Sequence, residues 1–266
     1  MPLIKTVLLP HSPLLISEIG RANHHFLAKT TAAYERLGAE LKESGVETII
    51  IISPHGRLAA DSFTINIAPE MIFDFKDFGL IMPLNFLPGD AVLADQIKDT
   101  ARQNFPLRLI SENPLDHGSA VPLYLLKNLI GDFKTLIVSP PTASGREQLL
   151  AFGDGLQSVI KASPKKIALI ASGDLSHRLQ KKSPGGYSPK GAKFDNKLIE
   201  YLSDPEDAVA EILKMDEKLV KDAGECGFKS ILIMLGVLSG WSWEPEVLAY
   251  QTDFGVGYLS MDFKLT

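Results

Sequence analysis

The chain has 266 residues, of which 45% are hydrophobic and 22% charged, a composition that is typical of globular proteins and excludes collagen-like, coiled-coil and disordered chains. The 32 acidic residues outnumber the 27 basic ones, and the formal net charge of −5 argues against nucleic-acid binding, which needs clustered cations. No apolar run approaches the length of a membrane span. The single cysteine excludes a disulfide framework and favours a reducing compartment. We therefore expect a cytoplasmic protein with no nucleic-acid or membrane partner.

Short runs that are apolar on both faces and rich in β-branched residues alternate with segments of helical periodicity. Strands are predicted at residues 4–9, 48–53, 135–139 and 167–172, and helices at 22–43, 91–104, 120–129 and 145–161. This alternation is typical of a parallel sheet that helices cover on both faces. Residues 63–68 indicate one further strand, which we expect to be antiparallel.

The last third of the chain differs, because helices come first and strands follow. Helices are predicted near residues 195–202, 205–215 and 228–238, and strands at 247–252 and 256–263. No repeat or linker divides the chain, so we predict a single domain over residues 1–266. The segment 181–193 (KKSPGGYSPKGAK) has the composition of a surface loop, and a lid over a site is the functional alternative.

Four of the six histidines stand at the end of a predicted strand or at the entrance to a helix. His11, His55 and His177 each follow a strand, and His117 precedes the helix at residues 120–129. Because the carboxyl ends of parallel strands form the edge of the sheet where ligands bind, we expect these imidazoles to lie together. The other two, His24 and His25, follow no strand and are assigned to the surface.

Two imidazoles need a further ligand to hold a metal, and the sequence offers two neighbouring candidates. Glu225 would complete the two-histidine, one-carboxylate set that binds Fe(II) in oxygenases and also binds catalytic zinc. Cys226 is the alternative, since a thiolate suits zinc or copper. Each residue also has a purely structural interpretation, Glu225 as a partner of the dipole of the following helix and Cys226 as a small buried hydrophobe.

Two carboxylates precede histidines, Asp116 directly before His117 and Asp174 three residues before His177. Either could set the tautomer and the pKa of a histidine, and either could instead cap the next helix. The sequence contains no G-x-S-x-G, P-loop or G-x-G-x-x-G motif, which weakens serine hydrolase, NTPase and dinucleotide-binding interpretations.

Five short motifs occur in a fixed order over nearly the whole chain. They are PHSP at residues 10–13, SPHG at 53–56, DHG with VPL at 116–123, SGDLSH at 172–177 and FGVGY at 254–258. In these motifs and their order the sequence resembles the class III extradiol ring-cleavage dioxygenases, the LigB-like superfamily, which also includes the Memo-type proteins.

The resemblance implies a three-layer αβα sandwich with a mixed, largely parallel central sheet and a metal site in a cleft. It implies Fe(II), with zinc as the alternative, held by His11, His55 and Glu225. His177 matches the histidine that acts as general base and acid, and His117 matches a second cleft histidine near substrate or oxygen. Weaker candidates for supporting or substrate-binding roles are Ser12, Asp116 and Asp174.

The implied activity is opening of the ring of a small catecholic substrate with O2, beside the diol. Memo-type relatives carry Cys-Gly where the ring-cleaving enzymes carry the carboxylate, and here Glu225 and Cys226 are neighbours. Two alternatives therefore stay open: a Memo-like protein that binds metal or ligand without ring cleavage, and a zinc hydrolase on the same two histidines and glutamate. A homodimer is the default assembly, and a separate small subunit is not excluded.

Overall fold

The computed structural model describes residues 1–266 and is built around one eight-stranded sheet. The strands are β1 (Leu3–Leu9), β2 (Thr48–Ile52), β3 (Phe63–Asn66), β4 (Glu70–Ile72), β5 (Phe86–Pro88), β6 (Leu107–Ile110), β7 (Lys134–Ser139), β8 (Ile167–Ser172), β9 (Trp243–Gln251) and β10 (Tyr258–Leu265). The large sheet has the order β6-β3-β7-β2-β8-β1-β10-β9, and β4 pairs with β5 in a separate two-stranded sheet.

The centre of the large sheet is parallel, because β7, β2, β8 and β1 are parallel neighbours in that order. Every residue of β2 and β8 is buried, as expected of strands that helices cover on both faces. Both flanks are mixed. On one side β10 is antiparallel to β1 and to β9, and on the other β3 is antiparallel to β7 and parallel to β6.

Helices cover both faces of the sheet. They are α1 (Ser17–Gly20), α2 (Ala28–Ser44), α3 (Ala91–Ala101), α4 (His117–Ile130), α5 (Arg146–Ala162), α6 (Pro189–Leu202), α7 (Ala208–Lys214), α8 (Glu217–Ala223) and α9 (Phe228–Leu238). The β2 side chains alternate between two cores: Ile50 and Ile52 pack in the core that includes α5 and α9, and Ile49 and Ile51 in the one that includes α2 and α4. The predicted αβα sandwich with a mixed, largely parallel sheet is confirmed. None of the helices is both long and apolar enough to cross a bilayer.

The structure corrects the sequence-based elements in several places. The strand predicted at residues 63–68 is present as β3 and is antiparallel to β7, but β4, β5 and β6 were not predicted. The helix predicted from residue 22 begins as a 3₁₀ segment at Arg21–Leu27 and becomes α2 only at Ala28. The segment 181–193 is a loop only in its first part, because α6 starts at Pro189, where the Ser188 side chain accepts a hydrogen bond from the Lys190 amide.

Helices α5 and α9 pack closely because each has a glycine at the crossing point. A Cβ atom on Gly153 would overlap the Ile233 carbonyl oxygen and lie 2.8 Å from the Cα atom of Gly236. Backbone therefore contacts backbone, and neither helix can move away without opening the core beneath it. Two residues further along α5, a Cβ atom on Gly155 would meet nothing closer than the Phe105 ring, at 3.7 Å.

These two glycines of α5 form a matched test of this contact. We expect Gly153→Ala to lower the free energy of unfolding by about 1–3 kcal/mol, because the added methyl group overpacks the crossing. Gly155→Ala adds the same methyl group where there is space, and should be neutral or stabilising by up to about 1 kcal/mol through helix propensity. Urea unfolding of both variants measures the difference, and equal losses would contradict the proposed role of the crossing.

Candidate metal centre

The three histidines that follow strands lie at one edge of the sheet, as expected. His11 follows β1, His55 follows β2 and His177 follows β8, and these three strands are neighbours in the sheet. His117 is the first residue of α4 and joins them. All four line one cleft with a volume of about 550 Å³, a size typical of small-molecule sites.

Three side chains in this region bring possible ligand atoms together. The Nε2 atoms of His11 and His55 are 3.1 Å apart, and the Cys226 Sγ atom lies 3.5 Å from Nε2 of His11. All three ligand atoms lie within 4.8 Å of one another. His117 stacks on His55, with ring centroids 4.1 Å apart. The fold thus assembles a cluster of two nitrogens and one sulfur.

Hydrogen bonds fix the His11 ring so that its free lone pair faces the cluster. The Ser172 hydroxyl donates its only proton to the Gly118 carbonyl oxygen at 2.6 Å, so at 2.9 Å it must accept a proton from Nδ1 of His11. Nε2 then carries the lone pair, as a metal-binding histidine requires. Burial lowers the pKa of His11. Burial and the neighbouring His11 and His117 rings lower the pKa of His55 to about 4, so both rings are neutral at pH 7 and fit a metal ion.

Cys226 reaches the cluster because two loops touch through glycines. A Cβ atom on Gly173 would overlap the Cα atom of Gly227, so only glycine allows the segment before α9 to lie against the end of β8. The amides of Cys226 and Gly227 donate to the Asp174 carbonyl oxygen at 3.3 and 3.2 Å. In return, the Asp174 amide donates to the Cys226 Sγ atom at 3.3 Å. Burial raises the pKa of the Cys226 thiol, so a bound cation is needed to stabilise the thiolate at neutral pH.

The structure does not bring Glu225, the expected carboxylate ligand, into this cluster. Its Oε2 atom accepts a hydrogen bond from the Phe228 amide at 2.6 Å, where α9 has no other side-chain cap. The unpaired amides at the start of a helix attract a carboxylate, so the capping interpretation describes the placement of Glu225. Burial raises the pKa of this carboxyl to about 7. Of the two candidates, Cys226 is the one whose side chain lies in the cluster with His11 and His55.

Asp174 supports two of the histidines. Its Oδ1 atom accepts a hydrogen bond from the His11 amide at 3.0 Å, and its Oδ2 atom lies 3.7 Å from Nε2 of His177. The Gly224 carbonyl oxygen, 2.7 Å from Nδ1 of His177, can only accept, so Nδ1 carries a proton and Nε2 faces the cleft. Burial acts to lower the pKa of His177, but Asp174, the Gly224 carbonyl and Glu225 together outweigh it and the pKa is raised. His177 therefore presents to the cleft an imidazole nitrogen that lies beside a carboxylate.

The other expected residues have supporting positions. Asp116 caps α4, because its Oδ1 atom accepts from the Ser119 amide at 3.1 Å and from the Ser53 hydroxyl at 2.6 Å. The His55 amide in turn donates to the Ser53 oxygen at 3.3 Å, so Asp116 holds the loop that carries His55. Ser12 is buried and lines the wall of the cleft together with Tyr258.

Three aromatic residues that line the cleft are not among the site residues predicted from the sequence. The Phe78 ring lies 5.7 Å from the His117 ring, between centroids, and Phe254 and Tyr258 also line the cleft wall. Phe254 and Tyr258 lie within the FGVGY motif, which was the one feature of the sequence that could have marked them as cleft residues. Phe254 has a left-handed backbone conformation with φ of 60°. Nothing in the sequence around Phe78 marks it. Pro184, from the loop before α6, also lines the cleft.

A family comparison agrees with this architecture. The sequence model of the catalytic LigB subunit of aromatic ring-opening dioxygenases matches residues 5–261. The chain belongs to the LigB family. Its superfamily includes the Memo-type proteins, and a MEMO1 family protein of Methanococcoides burtonii is 34% identical over 123 residues, which are 45% of this chain and 41% of that protein.

Two further relatives of this LigB-family chain bear on its length and fold. A protein of Clostridium acetobutylicum is 33% identical over 261 residues, covering 94% of this chain and 55% of that protein. The chain thus spans about half the length of these sequence relatives. The crystal structure of an uncharacterized protein from Escherichia coli K12 is similar with a TM-score of 0.70 and 18% identity, covering 97% of this chain and 99% of that chain, and it shares the fold.

The electrostatic role of Asp174 can be measured directly in the metal-free protein. We expect Asp174→Asn to lower the pKa of His177 below its ordinary value of about 6.5. Burial then lowers the pKa, and only the smaller effects of the Gly224 carbonyl and of Glu225 oppose it. NMR titration of the ring protons gives this pKa. Asp116→Asn is the matched control, since asparagine also caps helices and Asp116 does not contribute to the His177 shift. An unchanged His177 pKa in Asp174→Asn would contradict the pairing.

Proposed function

We propose that this LigB-family protein is a metal-binding protein of the Memo kind, in which His11, His55 and Cys226 hold one iron ion. The observation that carries the proposal is the place of Cys226, whose sulfur lies 3.5 Å from Nε2 of His11 while Glu225 caps α9. Imidazole nitrogens suit iron and zinc alike, and a thiolate suits both as a ligand. The family match supports iron, and zinc is the alternative.

The bound ion would supply Lewis acidity and, as iron, one-electron chemistry; the residues of the chain prepare the site and act on the ligand. Ser172 and the Gly118 carbonyl oxygen keep His11 in the tautomer that presents Nε2. His177 can take a proton from a ligand hydroxyl at Nε2 and return it, because Nδ1 is held by the Gly224 carbonyl oxygen. Phe78, Phe254 and Tyr258 give part of the cleft an apolar aromatic wall.

Ring opening of a catecholic substrate with O2 is the second candidate function, and the character of the cleft favours it. The four histidines and three aromatic side chains that line it match a flat ring that carries hydroxyl groups. An imidazole that is beside a carboxylate is suited to deprotonate a phenolic hydroxyl, and we assign this role to His177, which lies 3.7 Å from the Asp174 carboxylate. The zinc hydrolase alternative depended on Glu225 as a ligand, and no contact of Glu225 favours it.

Metal analysis of matched variants tests the proposed ligand set. After anaerobic purification from iron-replete cells, we expect about one iron per chain in the unaltered protein. Cys226→Ser should weaken iron binding by more than the roughly 10–100-fold loss that follows removal of a hydrogen-bonding partner of a ligand. Glu225→Gln, which keeps an oxygen to cap α9, should retain iron. Loss of iron from Glu225→Gln with retention of iron in Cys226→Ser would overturn the assignment of Cys226 as a ligand. One zinc per chain in place of iron would show that zinc is the bound metal.

Oxygen consumption separates the two candidate functions. We expect an iron-loaded sample to consume O2 with at least one member of a catechol panel if the second candidate is right, and with none if the protein only binds metal and ligand. In the first case His177→Ala should keep its iron and lose turnover by about 10²–10⁴-fold, because it removes only the proton acceptor. If His177→Ala loses iron, the role given to His177 is wrong.

A further inference from the structure

A second pocket, with no residue in common with the metal cleft, lies between α6 and the segment that contains α7 and α8. It has a volume of about 240 Å³. Four lysines line it, together with a tyrosine and two carboxylates: Lys190, Lys193, Lys197, Tyr201, Lys214, Glu211 and Asp216. This concentration of lysines is unusual for a chain with a net charge of −5.

The lysines of α6 form a stripe along one face of the helix. Lys190, Lys193 and Lys197, followed by Tyr201, are spaced by three, four and four residues, and this spacing keeps side chains on the same face. At 1.5 Å per residue the three lysines span about 10 Å of the helix. Lys197 donates to the Tyr201 hydroxyl at 3.0 Å. None of the three lysines has a carboxylate oxygen within 4.0 Å of its ammonium group.

Helix stability does not account for this arrangement. Lysines that are three or four residues apart repel one another, and Lys190 and Lys193 stand near the positive end of the helix dipole, where acidic residues are favourable. The first turn of α6 has no acidic residue. The positive charge, the dipole and the concave surface all favour the same kind of ligand, which is an anion.

The two carboxylates of the pocket are already engaged. Asp216 caps α8 by accepting a hydrogen bond from the Leu219 amide at 2.7 Å. Glu211 lies 3.6 Å from Nζ of Lys214, and together with Glu200 it also acts on Lys197, whose pKa is raised. The four lysines of the lining still outnumber its two carboxylates, so the pocket keeps an excess of positive charge.

We propose that this pocket binds an oligophosphate, a ligand with two or more linked phosphate groups. An extended phosphate chain presents its charges in a row, as the stripe does, and lysines bind phosphate as point charges. Inorganic polyphosphate and the phosphate chain of a nucleoside triphosphate share this chemistry. The proposal does not depend on the function of the metal centre.

Calorimetry with the full chain and inorganic tripolyphosphate at low ionic strength tests the proposal. We expect saturable binding that weakens as salt is added, because the contacts are ionic. The triple variant Lys190→Gln, Lys193→Gln, Lys197→Gln should bind at least about tenfold more weakly. The control triple Lys29→Gln, Lys42→Gln, Lys134→Gln makes the same change in net charge at exposed positions elsewhere and should bind as the unaltered chain does.

Thermal unfolding gives an independent readout and guards against a folding defect. Without tripolyphosphate, the α6 triple variant should unfold at the same or a higher temperature than the unaltered chain, because the repulsion between its lysines has been removed. With tripolyphosphate present, the unfolding temperature should rise only for the unaltered chain and the control triple variant. ATP that binds more tightly than tripolyphosphate would assign a nucleotide, and equal binding would assign the phosphate chain alone. No saturable binding, or equal loss in both triple variants, would overturn the proposal.

Discussion

The candidate metal centre depends on the buried residue Asp174, where three parts of the chain meet. Its carboxylate accepts a hydrogen bond from the backbone of His11 and lies beside His177, its carbonyl oxygen accepts the amides of Cys226 and Gly227, and its amide donates to the Cys226 sulfur. The loop after β1, the loop after β8 and the segment before α9 are therefore fixed relative to one another. A change in the backbone at this position would move the sulfur and both imidazoles at once.

The same environment pushes the histidines toward different protonation states. Burial and the neighbouring His11 and His117 rings lower the pKa of His55 to about 4, whereas the close Asp174 carboxylate helps to raise the pKa of His177. A metal ligand must be neutral, and a group that exchanges protons with a ligand must titrate near physiological pH. Local burial and one carboxylate thus divide the imidazoles of a single cleft between two kinds of chemistry.

The parts that were predictable from the sequence are those where the pattern is regular. Short runs that are apolar on both faces and rich in β-branched residues, such as β2 and β8, are typical of buried parallel strands, and a histidine after each of them then lies at the same edge of the sheet. By contrast, β6 is half-exposed and contains Arg108, so its pattern resembles a loop. Phe78 reaches the cleft from the segment between β4 and β5, and only the tertiary fold determines where that segment lies.

The sequence could not decide whether Glu225 or Cys226 lies with the two histidines, for a different reason. Both residues precede α9 directly, and both side chains are chemically suitable as ligands. The observed placement of the two side chains depends on the hydrogen bond that the Glu225 carboxylate accepts at the start of α9 and on the contact between Gly173 and Gly227, which sets the position of the Cys226 sulfur. Neither interaction has a signature in residue spacing.

The separation of the ligands along the chain has a consequence for how the protein matures. His11 and His55 are 44 residues apart, and Cys226 lies 215 residues after His11. At typical rates of translation, roughly 5–20 residues per second, the thiol is synthesised about 10–40 s after the first imidazole. Before Cys226 is synthesised, the candidate site offers an ion only the two imidazole nitrogens of His11 and His55. In the proposed site, selection for a metal that favours sulfur can therefore begin only when the last quarter of the chain has folded onto the sheet.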